Sequence, residues 1–110
     1  MPPHQQELLQ GTLDLLILKT LCLEPMHGWG IAKRIQLASK DVLRINQGSL
    51  YPALYRLQDR GLIRSKWGVS SEGRRVKIYQ LTRAGEKALA TEQEGCRLFA
   101  GAMARVLDTV

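Results

Sequence analysis

The sequence predicts a mainly α fold with a small β-hairpin: a winged helix-turn-helix plus a C-terminal dimerisation helix. Three observations predict it. Residues 46 to 63 carry Leu50, Ala53, Leu54 and Leu57 at the 3,4 spacing that buries one face of a helix. After Gly61 the texture changes to two short extended segments separated by a polar turn containing glycine. Two apolar helical segments precede these elements and one long helical segment follows. The expected organisation is an N-terminal tail over 1–10, a winged helix-turn-helix domain over 11–81 and a C-terminal helix over 82–110.

In the first helix, Thr12 is expected as the cap and Pro25 as the stop. Its apolar residues Leu13, Leu15, Leu16, Ile17, Leu18, Leu21 and Cys22 surround most of the circumference, which implies burial on more than one side. A second helix should begin near His27 or Gly28 and run through Trp29, Ile31, Ala32, Ile35 and Leu37 toward Ala38. Its polar side holds Lys33, Arg34 and Gln36. Residues 39–46 lack periodicity and read as a connector. For the third helix, Asn46 or Ser49 can cap the start, Pro52 is tolerated only near a first turn, and Gly61 supplies a left-handed stop. Ser49, Pro52, Arg56 and Asp59 are then expected to face outward.

The hairpin strands are expected over Ile63 to Val69 and Arg75 to Leu81, with the turn at residues 70–74. Arg64, Lys66, Arg74, Arg75 and Lys77 make it basic. Val76, Ile78, Tyr79 and Leu81 obey no single alternation, so the buried face of the second strand stays open. Thr82 should cap the last helix. Within it Leu89, Cys96, Phe99, Met103, Val106 and Val110 follow an a/d heptad register, with Glu92 as the polar exception. This reads as a dimerisation seam, and the alternative is a helix folded back on its own domain. A helix over residues 82–110 would extend about 43 Å at 1.5 Å per residue, further than so small a domain can cover. Gly85, Gly95 and Gly101 each cost about 1 kcal/mol relative to alanine, so packing must hold this helix.

At 110 residues and 45% apolar content the chain supports one compact domain. Its net charge of +6 is uneven, because residues 33–83 hold twelve Lys or Arg against three Asp or Glu. That half is suited to a polyanion, although charge alone fits a merely soluble basic surface equally well. The opening MPPHQQE lacks the leader and apolar run of a signal peptide, and Leu13 to Leu23 is too short to span a bilayer. A cytoplasmic location is therefore expected. Cys22 and Cys96 have no metal-ligand or redox spacing and read as small buried hydrophobes. His4 falls in the tail, and His27 suits capping or a backbone contact. No phosphate loop, carboxylate pair or Ser/His/Asp set occurs, so neither enzyme activity nor a cofactor or metal is expected.

The strings GTLDLLILKTL (11–21), HGWGIAKRI (27–35), GSLYPALYRLQDRGLI (48–63) and GRRVKIYQLTRAGEKAL (73–89), in this order, resemble the PadR family of bacterial transcriptional regulators. The resemblance covers nearly the whole chain. Trp29 stands where the second motif usually has tyrosine, and the single C-terminal helix looks like the small subfamily. The resemblance implies a homodimeric repressor that binds a palindromic operator in double-stranded DNA and is released by a small hydrophobic or phenolic effector. It places Gln47, Ser49, Tyr51, Pro52, Tyr55 and Arg56 in the major groove, with Tyr55 the more exposed tyrosine, and adds Lys33 from the second helix. Wing residues Lys66, Arg74, Arg75 and Lys77 would meet phosphates or the minor groove. Trp29 and Phe99 are candidates for lining an effector pocket, with a core role as the alternative for each.

The competing reading is a winged-helix protein-interaction module that binds no DNA. Against it, Gln47, Ser49, Tyr55 and Arg56 can donate to base edges, and few exposed apolar residues are expected beside them. A single-strand or RNA binder would want several exposed aromatics, and the chain has six aromatics in all.

Overall fold

The computed structural model describes residues 10–109, so His4, the rest of the tail before Gln10 and the seam position Val110 lie outside the described residues. The first helix, α1 (Gln10–Leu23), starts ahead of Thr12, which sits inside it rather than capping it. Helix ends are weakly specified by a lone polar residue and shift by a residue or two. Leu13, Ile17, Leu18 and Leu21 are buried, and the buried Thr20 hydroxyl is satisfied by donating to the Leu16 carbonyl at 2.8 Å. Cys22 is exposed, contrary to the expectation, because it falls in the last turn, where the chain leaves the core.

After Pro25, Met26–His27 form a two-residue strand, β1, which is too short to show any period in the sequence. The second helix, α2 (Gly28–Ala38), is capped by His27, whose Nδ1 accepts from the Gly30 backbone N–H at 3.0 Å. The third, α3 (Gln47–Asp59), is capped by Asn46, whose Oδ1 accepts from Ser49 N–H at 2.8 Å; of the two candidate caps, the asparagine serves. Pro52 lies in the second turn, where its missing N–H leaves the Gly48 carbonyl without a helical donor. The helix ends as expected at Gly61, with φ of 74°. Gly61 N–H donates to Gln58 and Leu62 N–H to Leu57, and Leu57 and Leu62 are both buried, which completes a Schellman cap.

The hairpin strands are β2 (Ile63–Val69) and β3 (Arg75–Leu81), with Val69 opposite Arg75 and Ile63 opposite Leu81. β3 is the central strand, in the order β1-β3-β2, and Met26 pairs with Tyr79. This settles the open question of β3. Tyr79 is buried, whereas Ile78 on the other face lies so close over Gly68 that a Cβ there would fall 2.8 Å from Ile78 Cγ1. Both faces are therefore partly covered, and no simple alternation can appear.

The last helix, α4 (Arg83–Leu107), is capped by Thr82, whose Oγ1 accepts from Gly85 N–H at 3.1 Å and donates to the Gly61 carbonyl at 2.7 Å. Gly85 and Leu89 are buried, and Ala88 packs on the same core. Leu89 therefore belongs to the core rather than to an exposed seam. Beyond Leu89 the helix projects, which leaves Cys96 exposed as well.

Candidate nucleic-acid interface

The starts of α2 and α3 and the hairpin enclose a cleft of about 730 Å³. His27, Gly28 and Trp29 contribute one wall, Gln47 and Tyr51 the α3 side, and Trp67, Arg74, Arg75, Lys77 and Tyr79 the hairpin side. Strand alternation explains the hairpin set. Trp67 lies opposite Lys77 and Ser65 opposite Tyr79, so Trp67, Arg75, Lys77 and Tyr79 share the face that runs on from the core. Lys66, opposite Ile78, stands on the reverse face and does not line this cleft.

Cations and indoles are paired at this site. Arg75 Cζ lies 4.4 Å and Lys77 Nζ 5.7 Å from the Trp67 ring centre, and Lys33 Nζ lies 4.7 Å from that of Trp29. Both indoles remain more than half exposed, Trp29 at 55% and Trp67 at 56%. Glu72 is the one carboxylate among the lining residues. Burial, and after it the neighbouring Tyr51, pushes the Tyr79 phenol up from its ordinary value, so it stays protonated and able to donate.

On α3 the structure leaves Gln47, Ser49, Tyr51, Pro52 and Tyr55 exposed. Tyr55 at 74% is freer than Tyr51 at 45%, whose ring lies against Gly28 so closely that a Cβ there would be 3.0 Å from it. Arg56 departs from the expectation. Its Nη2 bonds Asp14 Oδ1 on α1 at 3.0 Å, and its Nε is buried with no partner. The side chain thus turns back to the α1 contact instead of facing outward, drawn by a carboxylate that α1 shields from water.

Comparison with known proteins places this arrangement. The PadR-like transcriptional regulator family matches residues 17–91. The chain belongs to that family. A transcriptional regulator of Mycobacterium tuberculosis is 31% identical over 88 residues, which cover 80% of this chain and 78% of that protein. Among solved structures, a PadR family transcription regulator from Clostridium difficile is similar with a TM-score of 0.75 at 31% identity, covering 86% of this chain and 97% of the other. A transcriptional regulator from Clostridium thermocellum gives a TM-score of 0.78 at 27% identity, covering 87% and 93%. PadR-like proteins are transcriptional regulators and not enzymes, and this chain is one of these regulators.

In this PadR-like regulator the outer part of α4 exposes Leu98, Phe99, Met103, Val106 and Leu107. Phe99 and Trp29 are both exposed, so neither is a core residue, and Phe99 is not among the residues that line the cleft with Trp29. Trp67 and Tyr79 were missed as site residues. The available signal was the alternation through Trp67, Lys77 and Tyr79, which becomes readable only once the strand register is known. Among the described residues no group of His, Cys, Asp or Glu is placed to hold a metal, and no helix is long and apolar enough to cross a membrane.

Proposed function

We propose that this PadR-like regulator is a homodimeric repressor acting in the cytoplasm, which binds a palindromic operator and releases it when a small hydrophobic or aromatic effector binds. The carrying observation is that Gln47 and Tyr51 at the start of α3 line the same cleft as Arg74, Arg75 and Lys77 of the hairpin. A duplex laid against α3 brings base edges to Gln47, Ser49 and Tyr55 and a phosphate strand to the wing cations. The partner that supplies the second recognition helix is a second copy, joined through the apolar residues of outer α4. Such a dimer reads two half-sites about 34 Å apart on one DNA face. Exposed apolar area of this extent on a small chain favours a covered interface.

The test is fluorescence anisotropy of the full chain with a labelled duplex from immediately upstream of its own gene and a random duplex of equal length, across a salt series. Tighter binding of the first, weakening steeply with salt, is expected. Equal affinity for both duplexes would overturn the operator reading. Absence of any duplex binding would leave the same surface to a protein partner.

A further inference from the structure

We propose that Thr82 is a positioning residue, whose hydroxyl fixes the angle between α4 and the end of α3 and thereby the separation of the two half-sites that the dimer accepts. A threonine hydroxyl can donate one hydrogen bond while accepting another, and here it does both. It donates to the Gly61 carbonyl at 2.7 Å, in the cap that ends α3, and accepts from Gly85 N–H at 3.1 Å, in the first turn of α4. The Thr82 backbone spans the same junction, its N–H donating to the Leu62 carbonyl at 3.1 Å and its carbonyl accepting from Glu86 N–H at 2.9 Å. The junction is also tight. The Leu62 carbonyl oxygen lies so near Gly85 that no Cβ could stand between them, so the first turn of α4 rests directly on the chain that leaves α3. Ser65 Oγ donates to Gln58 Oε1 at 2.8 Å and ties β2 to the last turn of α3. The end of α3, the root of the hairpin and the start of α4 therefore meet in one place, where the Thr82 hydroxyl joins the first to the last.

Leverage gives this small contact its consequence. Gly85 and Leu89 are the buried residues of α4, so the core holds a helix of 25 residues over a single turn and leaves its tilt to the junction. From Gly85 to Met103 the helix spans about 27 Å at 1.5 Å per residue. A tilt of roughly 10° at the junction would swing Met103 by about 5 Å, more than the ~3.4 Å rise of one base pair. Two copies joined through outer α4 carry that displacement into the separation of their α3 helices, which sets the half-site spacing. Thr82 does not line the cleft, so it acts on spacing and not on the bases read. The spacing rests on the dimeric operator reading above, whereas the angle does not.

Pulsed electron paramagnetic resonance reads the angle. Spin labels are carried by Asp59→Cys at the end of α3 and Arg105→Cys on α4, both exposed, in the full chain with Cys22→Ser and Cys96→Ser. An excess of unlabelled chain ensures that only the distance within one chain is read. One narrow distance is expected with threonine at position 82, and Thr82→Ser should retain it. Thr82→Asp still caps α4, but its carboxylate cannot donate to the Gly61 carbonyl, and the distance should shift or broaden by about 3–5 Å. Thr82→Ala, which removes both bonds, should do the same. Far-ultraviolet circular dichroism verifies that the helices persist, and Thr82→Ala carries the test if Thr82→Asp loses them. An unchanged distance in the folded variants would overturn the positioning role. Selection from a pool of duplexes with a randomised centre then reads half-site sequence and spacing separately. The wild-type chain and Thr82→Ser should select one spacing, and Thr82→Asp the same half-site with its spacing moved or spread by at least one base pair. A changed distance with unchanged spacing, or a changed half-site sequence, would overturn the role in spacing. A wild-type chain that selects only unpaired sites, its label distance still governed by Thr82, refutes the preceding reading alone.

Discussion

Arg56 on α3 reaches across to Asp14 on α1, with its Nη2 3.0 Å from the carboxylate Oδ1. The two residues are 42 positions apart in the chain, and their pairing joins α3 to the first helix of the core. It also decides which cations remain for a partner.

Removing either member strands the other in a partly dry contact, since the Asp14 side chain is only 13% exposed and that of Arg56 32%. Asp14→Ala is expected to lower stability by about 1–3 kcal/mol, measured by urea unfolding. Arg56→Ala should do likewise, while the preference between operator and random duplex persists. A selective loss of operator preference at unchanged stability would return Arg56 to a base-reading role.

Two glycines of α4 should respond in opposite directions. A Cβ on Gly85 would collide with the Leu62 backbone carbonyl oxygen and come within 2.7 Å of Leu81 Cδ1, so Gly85→Ala is expected to cost roughly 2 kcal/mol or more. Gly95 has nothing within 4 Å of its Cβ direction, and Gly95→Ala should stabilise by up to about 1 kcal/mol. Thermal unfolding of the two variants side by side settles the contrast, and equal shifts would contradict the close approach of Gly85 to Leu62 and Leu81.

The hairpin cations should divide by face. Arg75→Ala is expected to weaken binding to every duplex and to reduce the salt slope by roughly one unit. Lys66→Ala, on the reverse face, should change the slope less. A larger effect from Lys66 would put the duplex against the other side of the wing.

Phe99→Asp introduces a charge among the exposed apolar residues of outer α4, where an interface would bury it unpaired at a cost of several kcal/mol. The variant should sediment as a monomer and lose operator affinity. A dimeric variant, or a monomer that binds the operator undiminished, would remove α4 from the role of dimer arm.

The sequence by itself determined what depends on neighbours along the chain. The buried face of α3, the left-handed stop at Gly61, the Thr82 cap and the two hairpin strands follow from periodicity, backbone preference and turn chemistry. The four motifs also sufficed for the family, because their order and spacing are properties of the chain. Only the tertiary structure decided the rest. It turned Arg56 toward Asp14, drew Leu89 into the core, exposed Cys22 and Cys96, added β1 beside Tyr79 and set the Trp67 face of the wing, not the Lys66 face, toward the cleft. Each of these depends on which distant element covers a side chain, and periodicity locates a face without saying what will lie against it.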